Sequence, residues 1–240
     1  MKYALVTGST AGIGLAIAKK LLEEGCFVFA NFAHNEQNAR MAAEFFASAS
    51  DNYRIIRADM SALEGVNALC DSVIAQCPRL DFLVLNSYAT DKTDFRFVTP
   101  EKWQHVMDCN VNMPFFTMQR LYDHMSEDGS VACIGAMMGI HPHAISISYG
   151  VSKAALHMLC QSMVKVYAQK RVRINAICPG FVETPAQLDK APDHRKRIEN
   201  RIALRRFAQP EEIANFCYSV LTNTYMNGAV IPVSGGYDMA

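Results

Sequence analysis

Two rhythms of apolar and polar positions alternate along this chain. Short, continuously apolar runs are each stopped by a turn residue. Longer stretches follow, in which apolar positions recur every third or fourth residue. The first rhythm is that of a strand buried on both faces, the second that of an amphipathic helix. "YALVT" (Tyr3 to Thr7) reads as the first strand, and Ile13 to Glu24 as the first helix, ended by Gly25. Further strands are predicted at "CFVFANF" (26–32), "YRIIRADM" (53–60), "LDFLVLN" (80–86), "GSVACIGA" (129–136), "VRINAICPG" (172–180) and "AVIPVSGG" (229–236). Helices are predicted over 35–48, 62–76, 101–125, 149–169 and 211–221. Strand and helix in strict alternation define an α/β protein, a parallel sheet with helices on both faces. No repeat or linker interrupts the pattern, so residues 1–240 are expected to form one domain. The irregular, proline-containing stretch from Glu183 to Pro192 opens a segment of about 183–205 where a substrate lid can sit.

Composition narrows the class. Half of the residues are hydrophobic, enough for a substantial core. The 23 basic and 23 acidic residues cancel, so no bulk charge calls for nucleic acid or an anionic membrane. The one basic run, His194 to Arg206, reads as a solvated helix face. Eight scattered cysteines form no C-x-x-C pair and no zinc-like spacing. They read as free thiols in a reducing compartment. "MKYALVTG" is too short and strand-like for a signal peptide, and no apolar run approaches the ~20 residues that span a bilayer. A cytoplasmic location is expected.

Two places carry candidate chemistry. The first strand runs into "TGSTAGIG" (Thr7 to Gly14), where Gly8, Gly12 and Gly14 let the backbone turn tightly and approach a diphosphate. The following helix offers its N-terminal N–H groups to that negative charge. Such a loop at the carboxyl end of the first strand suits a dinucleotide. The second place is "GAMMGIHPHAISISYGVSK" (Gly135 to Lys153). Tyr149 and Lys153 lie one helical turn apart and share a face. An ammonium beside a phenol favours the phenolate, bringing it toward working pH for proton transfer.

These stretches, taken in order, resemble the short-chain dehydrogenase/reductase family over nearly the whole chain. The glycine spacing G-x-x-x-G-x-G, "ADM" with Asp59, "LNSY" (Leu85 to Tyr88), Asn110 in "WQHVMDCNVN", the Y-x-x-x-K of Tyr149 and Lys153, "NAICPGFVETP" (Asn175 to Pro185), "PEEIA" and "VSGG" carry the resemblance. It implies a single Rossmann-type doubly wound parallel sheet and an NAD(P)-dependent oxidoreductase interconverting a carbonyl and a secondary alcohol. Tyr149 is then the general acid/base, Lys153 holds the nicotinamide ribose, and Asn110 holds a proton-relaying water. The implied cofactor-facing set is Gly8, Ser9, Thr10, Gly12, Ile13 and Gly14, then Asn31 and His34 after the second strand. Asp59, Met60, Asn86, Tyr149, Lys153, Pro179, Gly180, Val182 and Thr184 complete it. An acidic residue usually ends the family's second strand and selects NAD. Phe32 stands there, so no carboxylate repels a 2′-phosphate, which His34 or Asn31 can contact. NADP is therefore favoured over NAD, although Ala11 stands where NADP users often carry a basic residue.

The chain departs from the family at two points. The serine expected at the end of the fifth strand is Ala136, and the last residue of the family's N-N-A-G is Tyr88. Losing one preorganised donor to a developing oxyanion costs about 10²–10³ in rate, so ordinary ketone reduction is expected to be impaired. Ser146 and Ser148 lie too close to the tyrosine in sequence to take the serine's place by simple alignment. Tyr88 either narrows the site or supplies a hydroxyl. His141 and His143 lack a third ligand, so no metal is expected. Among relatives the pattern looks most like 3-oxoacyl carrier-protein reductases, making an acyl thioester a candidate substrate. The acidic "SEDG" (Ser126 to Gly129) argues against docking an acidic carrier protein. The alternative is a nucleotide-binding homologue with impaired catalysis, acting as a partner or regulatory subunit. The resemblance also implies a homo-oligomer, a tetramer built on the fourth and fifth helices. The apolar run "ALHMLCQSMVKVYA" fits that burial and fits core packing equally.

Overall fold

The computed structural model describes residues 1–188, 190–237 and 239. Seven parallel strands lie in the order β3-β2-β1-β4-β5-β6-β7. They are β1 (Tyr3–Val6), β2 (Phe27–Phe32), β3 (Tyr53–Arg57), β4 (Leu80–Leu85), β5 (Met125–Ile134), β6 (Arg173–Pro179) and β7 (Val230–Val233). The helices are α1 (Gly12–Glu23), α2 (Glu36–Ala47), α3 (Leu63–Ile74), α4 (Pro100–Met107), α5 (Met113–Leu121), α6 (Ile147–Tyr167), α7 (Pro192–Glu199) and α8 (Pro210–Thr222). The strands are continuously apolar because both sheet faces are covered. In β1, Leu5 packs into the layer formed with α3, α5 and α6, whereas Ala4 and Val6 pack into the layer formed with α1, α2 and α8. This is the doubly wound α/β arrangement expected from the sequence. Strand order reverses between β1, which pairs with β2, and β4, so a crevice opens at their carboxyl ends.

Three elements differ from the sequence reading. The expected helix over 101–125 is broken: α4 and α5 are joined by a π-helical turn, Asp108–Asn112. Pro114 contributes to the break. It has no N–H to give the carbonyl of Asn110, four residues back. Strand β5 begins at Met125, so "SEDG" lies within it. The register against β4 shifts there, Asp128 takes a positive φ of 60°, and Arg171 ties down Glu127 and Asp128. This acidic stretch is at the amino end of β5, away from the crevice, and so bears on docking at the crevice neither way.

Part of the segment 183–205 is helical, with Asp189 outside the described residues. Arg195 of α7 pairs with Glu183 and Glu199 and stacks over the Phe207 ring. Arg206 pairs with Glu212. The basic run is thus partly spent on fixed ion pairs rather than being a uniformly solvated face.

Candidate active site

The glycine loop is built for an anion. Gly8 and Gly12 take positive φ values of 60° and 52°, which side chains rarely adopt. A Cβ at Gly14 would lie 2.3 Å from the Gly8 carbonyl oxygen and 2.5 Å from Asn86 Nδ2. Helix α1 therefore presses its first turn directly on the strand ends. Ala11 precedes that turn without a side-chain cap, and no acidic residue occupies it. Its N–H groups keep their partial positive charge for a ligand. Ser9 and Thr10 lie in this loop, and Ile13 packs against the core below it. Thr184, past the end of β6, sits against Gly12: a Cβ there would be 3.1 Å from the Thr184 methyl. Pro179 closes β6, Gly180 lies against Ser234, and Val182 bridges to Ala208. These contacts fit a dinucleotide diphosphate between the first and sixth strand loops.

At the far end of the crevice the residues play unequal parts. Asn31 is fully buried. Its Oδ1 accepts from Gly8 N (3.2 Å), and its Nδ2 donates to Ala58 O (2.9 Å) and to Ile56 O and Phe32 O (3.3 Å each). It braces the glycine loop against β3, and its amide is not left over for a ribose phosphate, which corrects the expected contact. His34 is exposed, with Nε2 3.2 Å from Asp59 Oδ2. Burial raises the Asp59 carboxyl, but hydrogen bonds from Ser61 and the nearby His34 and His105 outweigh it and hold it below its ordinary range. Met60 beside it is buried.

The second chemical cluster forms where β4, β5 and α6 meet. Asn86 donates through Nδ2 to Thr7 O (3.0 Å) and Gly8 O (2.9 Å), stitching the β4 loop to the glycine loop. Thr7 Oγ1 accepts from Asn86 N (2.9 Å) and Ser87 N (3.0 Å). Asn110, in the π turn, is fully buried. Its Oδ1 accepts from Ala89 N (2.8 Å), and its Nδ2 donates to Ala89 O and Ser152 Oγ (2.9 Å each). Ser152 Oγ donates in turn to Tyr149 O (2.8 Å). One chain of hydrogen bonds therefore fixes the β4 loop, the π turn and the helix of Tyr149 together.

Lys153 is buried, and its Nζ donates to Ile134 O at the end of β5 (2.7 Å). Burial pushes its pKa down to about 8. Tyr149 is half-buried; burial first, then Tyr88 and Cys178, push its phenol well above the ordinary tyrosine value. The expected lowering of that phenol by Lys153 is not realised. Desolvation outweighs the ammonium, which lies 5.6 Å from the Tyr149 ring centre and is engaged by the Ile134 carbonyl. Tyr88 packs edge-on against Tyr149, ring centres 5.9 Å apart at 63°. Ala136 is buried, and its N–H donates to His157 Nε2 (3.4 Å), to which the Cys178 thiol also comes within 3.1 Å. Burial, with the Lys153 charge second, lowers His157 to about 4, so its imidazole is neutral.

Sequence reasoning missed Thr7, Ser152 and His157. The last two were within reach: Ser152 is three residues beyond Tyr149 and His157 four beyond Lys153, on the same helix face. His141 and His143 are exposed, and His143 Nδ1 accepts from Ile145 N (3.1 Å). No three described His, Cys, Asp or Glu side chains converge as metal ligands. All eight cysteines are free and buried. No helix among the described residues is long and apolar enough to cross a membrane.

A glycine turn opening onto a helix N-terminus at the strand-order reversal, with Tyr149 and Lys153 nearby on α6, is the crevice geometry that open α/β sheets offer to ligands. Comparison with known proteins agrees. The family model described as "Enoyl-(Acyl carrier protein) reductase" matches residues 8–238. Acetoacetyl-CoA reductase of Allochromatium vinosum is 31% identical, covering 99% of both chains. Glucose 1-dehydrogenase 2 of Bacillus subtilis is 30% identical, covering 98% of this chain and 94% of its own. Among solved structures, the Pseudomonas aeruginosa RhlG/NADP active-site complex superposes with a TM-score of 0.91 at 30% identity, covering 99% of this chain and 96% of that one. The chain belongs to the short-chain dehydrogenase/reductase family of oxidoreductases.

Proposed function

We propose that this protein reduces a carbonyl group to a secondary alcohol with a nicotinamide cofactor, Tyr149 serving as the acid. The observation that carries the reading is the placement of Tyr149 beside buried Lys153, whose Nζ lies 5.6 Å from the Tyr149 ring centre, with burial pushing the phenol up. The bound cofactor supplies the hydride. Lys153 orients its ribose, and Tyr149 gives its proton to the carbonyl oxygen. With its amide engaged, Asn110 would hold a relaying water through its main-chain carbonyl, which Pro114 leaves without a helical donor. A phenol held protonated suits reduction better than alcohol oxidation. The substrate class we favour is a 3-oxoacyl thioester. Its support is the acetoacetyl-CoA reductase relative; the matching family description shares the acyl thioester with it but names an enoyl rather than an oxo group. The test is cofactor oxidation across a panel of carbonyl compounds, acyl thioesters included. Turnover by the wild type and its loss in Tyr149→Phe sustain the reading; full activity in Tyr149→Phe sinks it.

A second reading, a nucleotide-binding homologue with impaired catalysis, draws on Ala136, whose buried methyl stands where a donor is expected. It gains if only Ala136→Ser turns substrate over.

NADP is the favoured cofactor because β2 ends in Phe32, with exposed His34 beyond it. Asp59 shares His34, so the contribution is modest. His34→Ala is expected to weaken NADPH binding by roughly 3- to 10-fold, the net scale of one exposed hydrogen bond, and to leave NADH binding unchanged. Equal effects on both cofactors, measured by calorimetry, refute the assignment.

The segment 183–205 is proposed as the lid, with the Arg195–Glu183 pair holding its helix. A homotetramer is proposed through α6. Ile147, Val151, Ala154 and Met158 form an exposed apolar stripe on this helix, and an apolar hollow of about 350 Å³ between Trp103 and Ile147 continues it. Val151→Arg with Met158→Arg is expected to shift the sedimenting species to monomer. An unchanged sedimentation profile counts against this face.

A further inference from the structure

We infer that Tyr88 supplies the hydroxyl that holds the substrate oxygen, in place of the donor that Ala136 lacks. This inference rests on the carbonyl-reduction reading above. Ala136 occupies the end of β5 with a methyl group, and its main-chain N–H is turned to His157. Nothing at that position donates to an oxygen beside Tyr149. Of the hydroxyls around Tyr149, Ser152 is taken up by Asn110 and the Tyr149 carbonyl, which leaves Ser146 and Ser148 at the start of α6 and Tyr88 after β4. Both serines are buried at the start of α6, at 9% and 2% exposure, and Ser148 borders the apolar hollow beside Trp103 and Ile147 rather than the contact between Tyr88 and Tyr149. Tyr88 is 51% exposed and reaches the crevice from the opposite side, off the end of β4.

The placement of Tyr88 is fixed at its root. Ser87 is held to Thr7 through its N–H (3.0 Å), and its Cα lies 3.1 Å from where a Cβ on Gly8 would stand. The Tyr88 ring then packs edge-on against Tyr149. Lys153 Nζ lies 5.7 Å from the Tyr88 ring centre and 5.6 Å from that of Tyr149. The two rings thus share one ammonium and one mouth of the crevice. A tyrosine phenol is protonated through the neutral range and nothing around half-exposed Tyr88 lowers it, so it remains a donor. Tyr149 transfers its proton as the hydride arrives. Tyr88 keeps its own and stabilises the developing charge by hydrogen bonding alone.

The experiment uses the full-length protein loaded with cofactor and its best carbonyl substrate. It compares wild type, Tyr88→Phe, Ala136→Ser, the double variant, Tyr88→Gly and Tyr149→Phe. Phenylalanine keeps the ring contacts with Tyr149 and Lys153, so a merely structural role leaves kcat alone. The expected result is a fall in kcat of roughly 10²–10³-fold for Tyr88→Phe, the scale of one lost oxyanion donor, with dinucleotide affinity unchanged. In the Ala136→Ser background the same change is expected to cost less than about threefold, because the serine then makes the bond. Wild-type kcat in Tyr88→Phe beside an inactive Tyr149→Phe overturns the inference and leaves the reductase reading standing. Higher activity in Tyr88→Gly than in wild type also overturns it, since the ring is then an obstruction. Full activity in Tyr149→Phe, or turnover by no variant, overturns the reductase reading and this inference with it.

Discussion

Tyr149→Phe is expected to lower carbonyl turnover by about 10²–10⁴-fold, the range for loss of a positioned general acid. The phenol is the half-buried proton donor at this mouth whose ring touches both Tyr88 and the region of Lys153. Phenylalanine preserves the ring and its packing and removes only the proton. The loss should fall equally on kcat and kcat/KM, because the proton is given up only in the transition state. Dinucleotide affinity should hold, since the cradle of Gly8, Gly12 and Gly14 lies on other elements. Steady-state kinetics with a binding titration reads both quantities. A variant that loses affinity as much as turnover would show Tyr149 to be a cofactor-binding residue and not the acid.

Lys153→Met is expected to abolish turnover and yet stabilise the cofactor-free protein by roughly 1–3 kcal/mol at pH 7. Lys153 is buried, with a pKa lowered by burial to about 8 from an ordinary 10.5. A displacement of that size corresponds to roughly 3 kcal/mol of penalty for keeping the charge in the folded state. Methionine fills similar space without it, but leaves the Ile134 carbonyl unpaired, which returns about 1 kcal/mol. The sign follows from proton binding. Below about pH 8 both folded and unfolded chains hold the proton, and the penalty is complete. Between about pH 8 and 10.5 the folded chain releases it while the unfolded chain does not, so the wild type gains stability as pH rises. The advantage of the methionine variant should therefore be full below pH 8 and fade toward pH 10.5. Urea unfolding of both proteins across that range measures it. A methionine variant less stable than wild type at pH 7 would show the ammonium to be paid for by its surroundings.

The glycine turn and the tyrosine–lysine pair, on which the proposed binding and proton transfer rest, were legible in the sequence for local reasons. Gly8, Gly12 and Gly14 act through backbone freedom and close approach, which residue type encodes directly. Tyr149 and Lys153 act from one helix face, which spacing encodes. Other roles depended on packing between segments distant in the chain. Asn31 reads as a ribose contact beside His34, but the neighbouring strand and the glycine loop consume its amide. Asn110 reads as a side-chain participant, but Ala89 and Ser152 engage that side chain. The lowered phenol expected from Lys153 failed because desolvation depends on what surrounds both groups.

By itself, then, the sequence determined the doubly wound α/β sheet, the glycine turn after β1, the tyrosine–lysine pair and the missing hydroxyl at Ala136. Each follows from periodicity, backbone freedom or residue identity, properties carried within a few turns of chain. Only the tertiary structure decided that burial raises the Tyr149 phenol, that His157 underlies Ala136, and that Tyr88 packs edge-on against Tyr149. These depend on burial and on contacts between β4, β5 and α6, and dielectric surroundings exist only once the chain has folded around them.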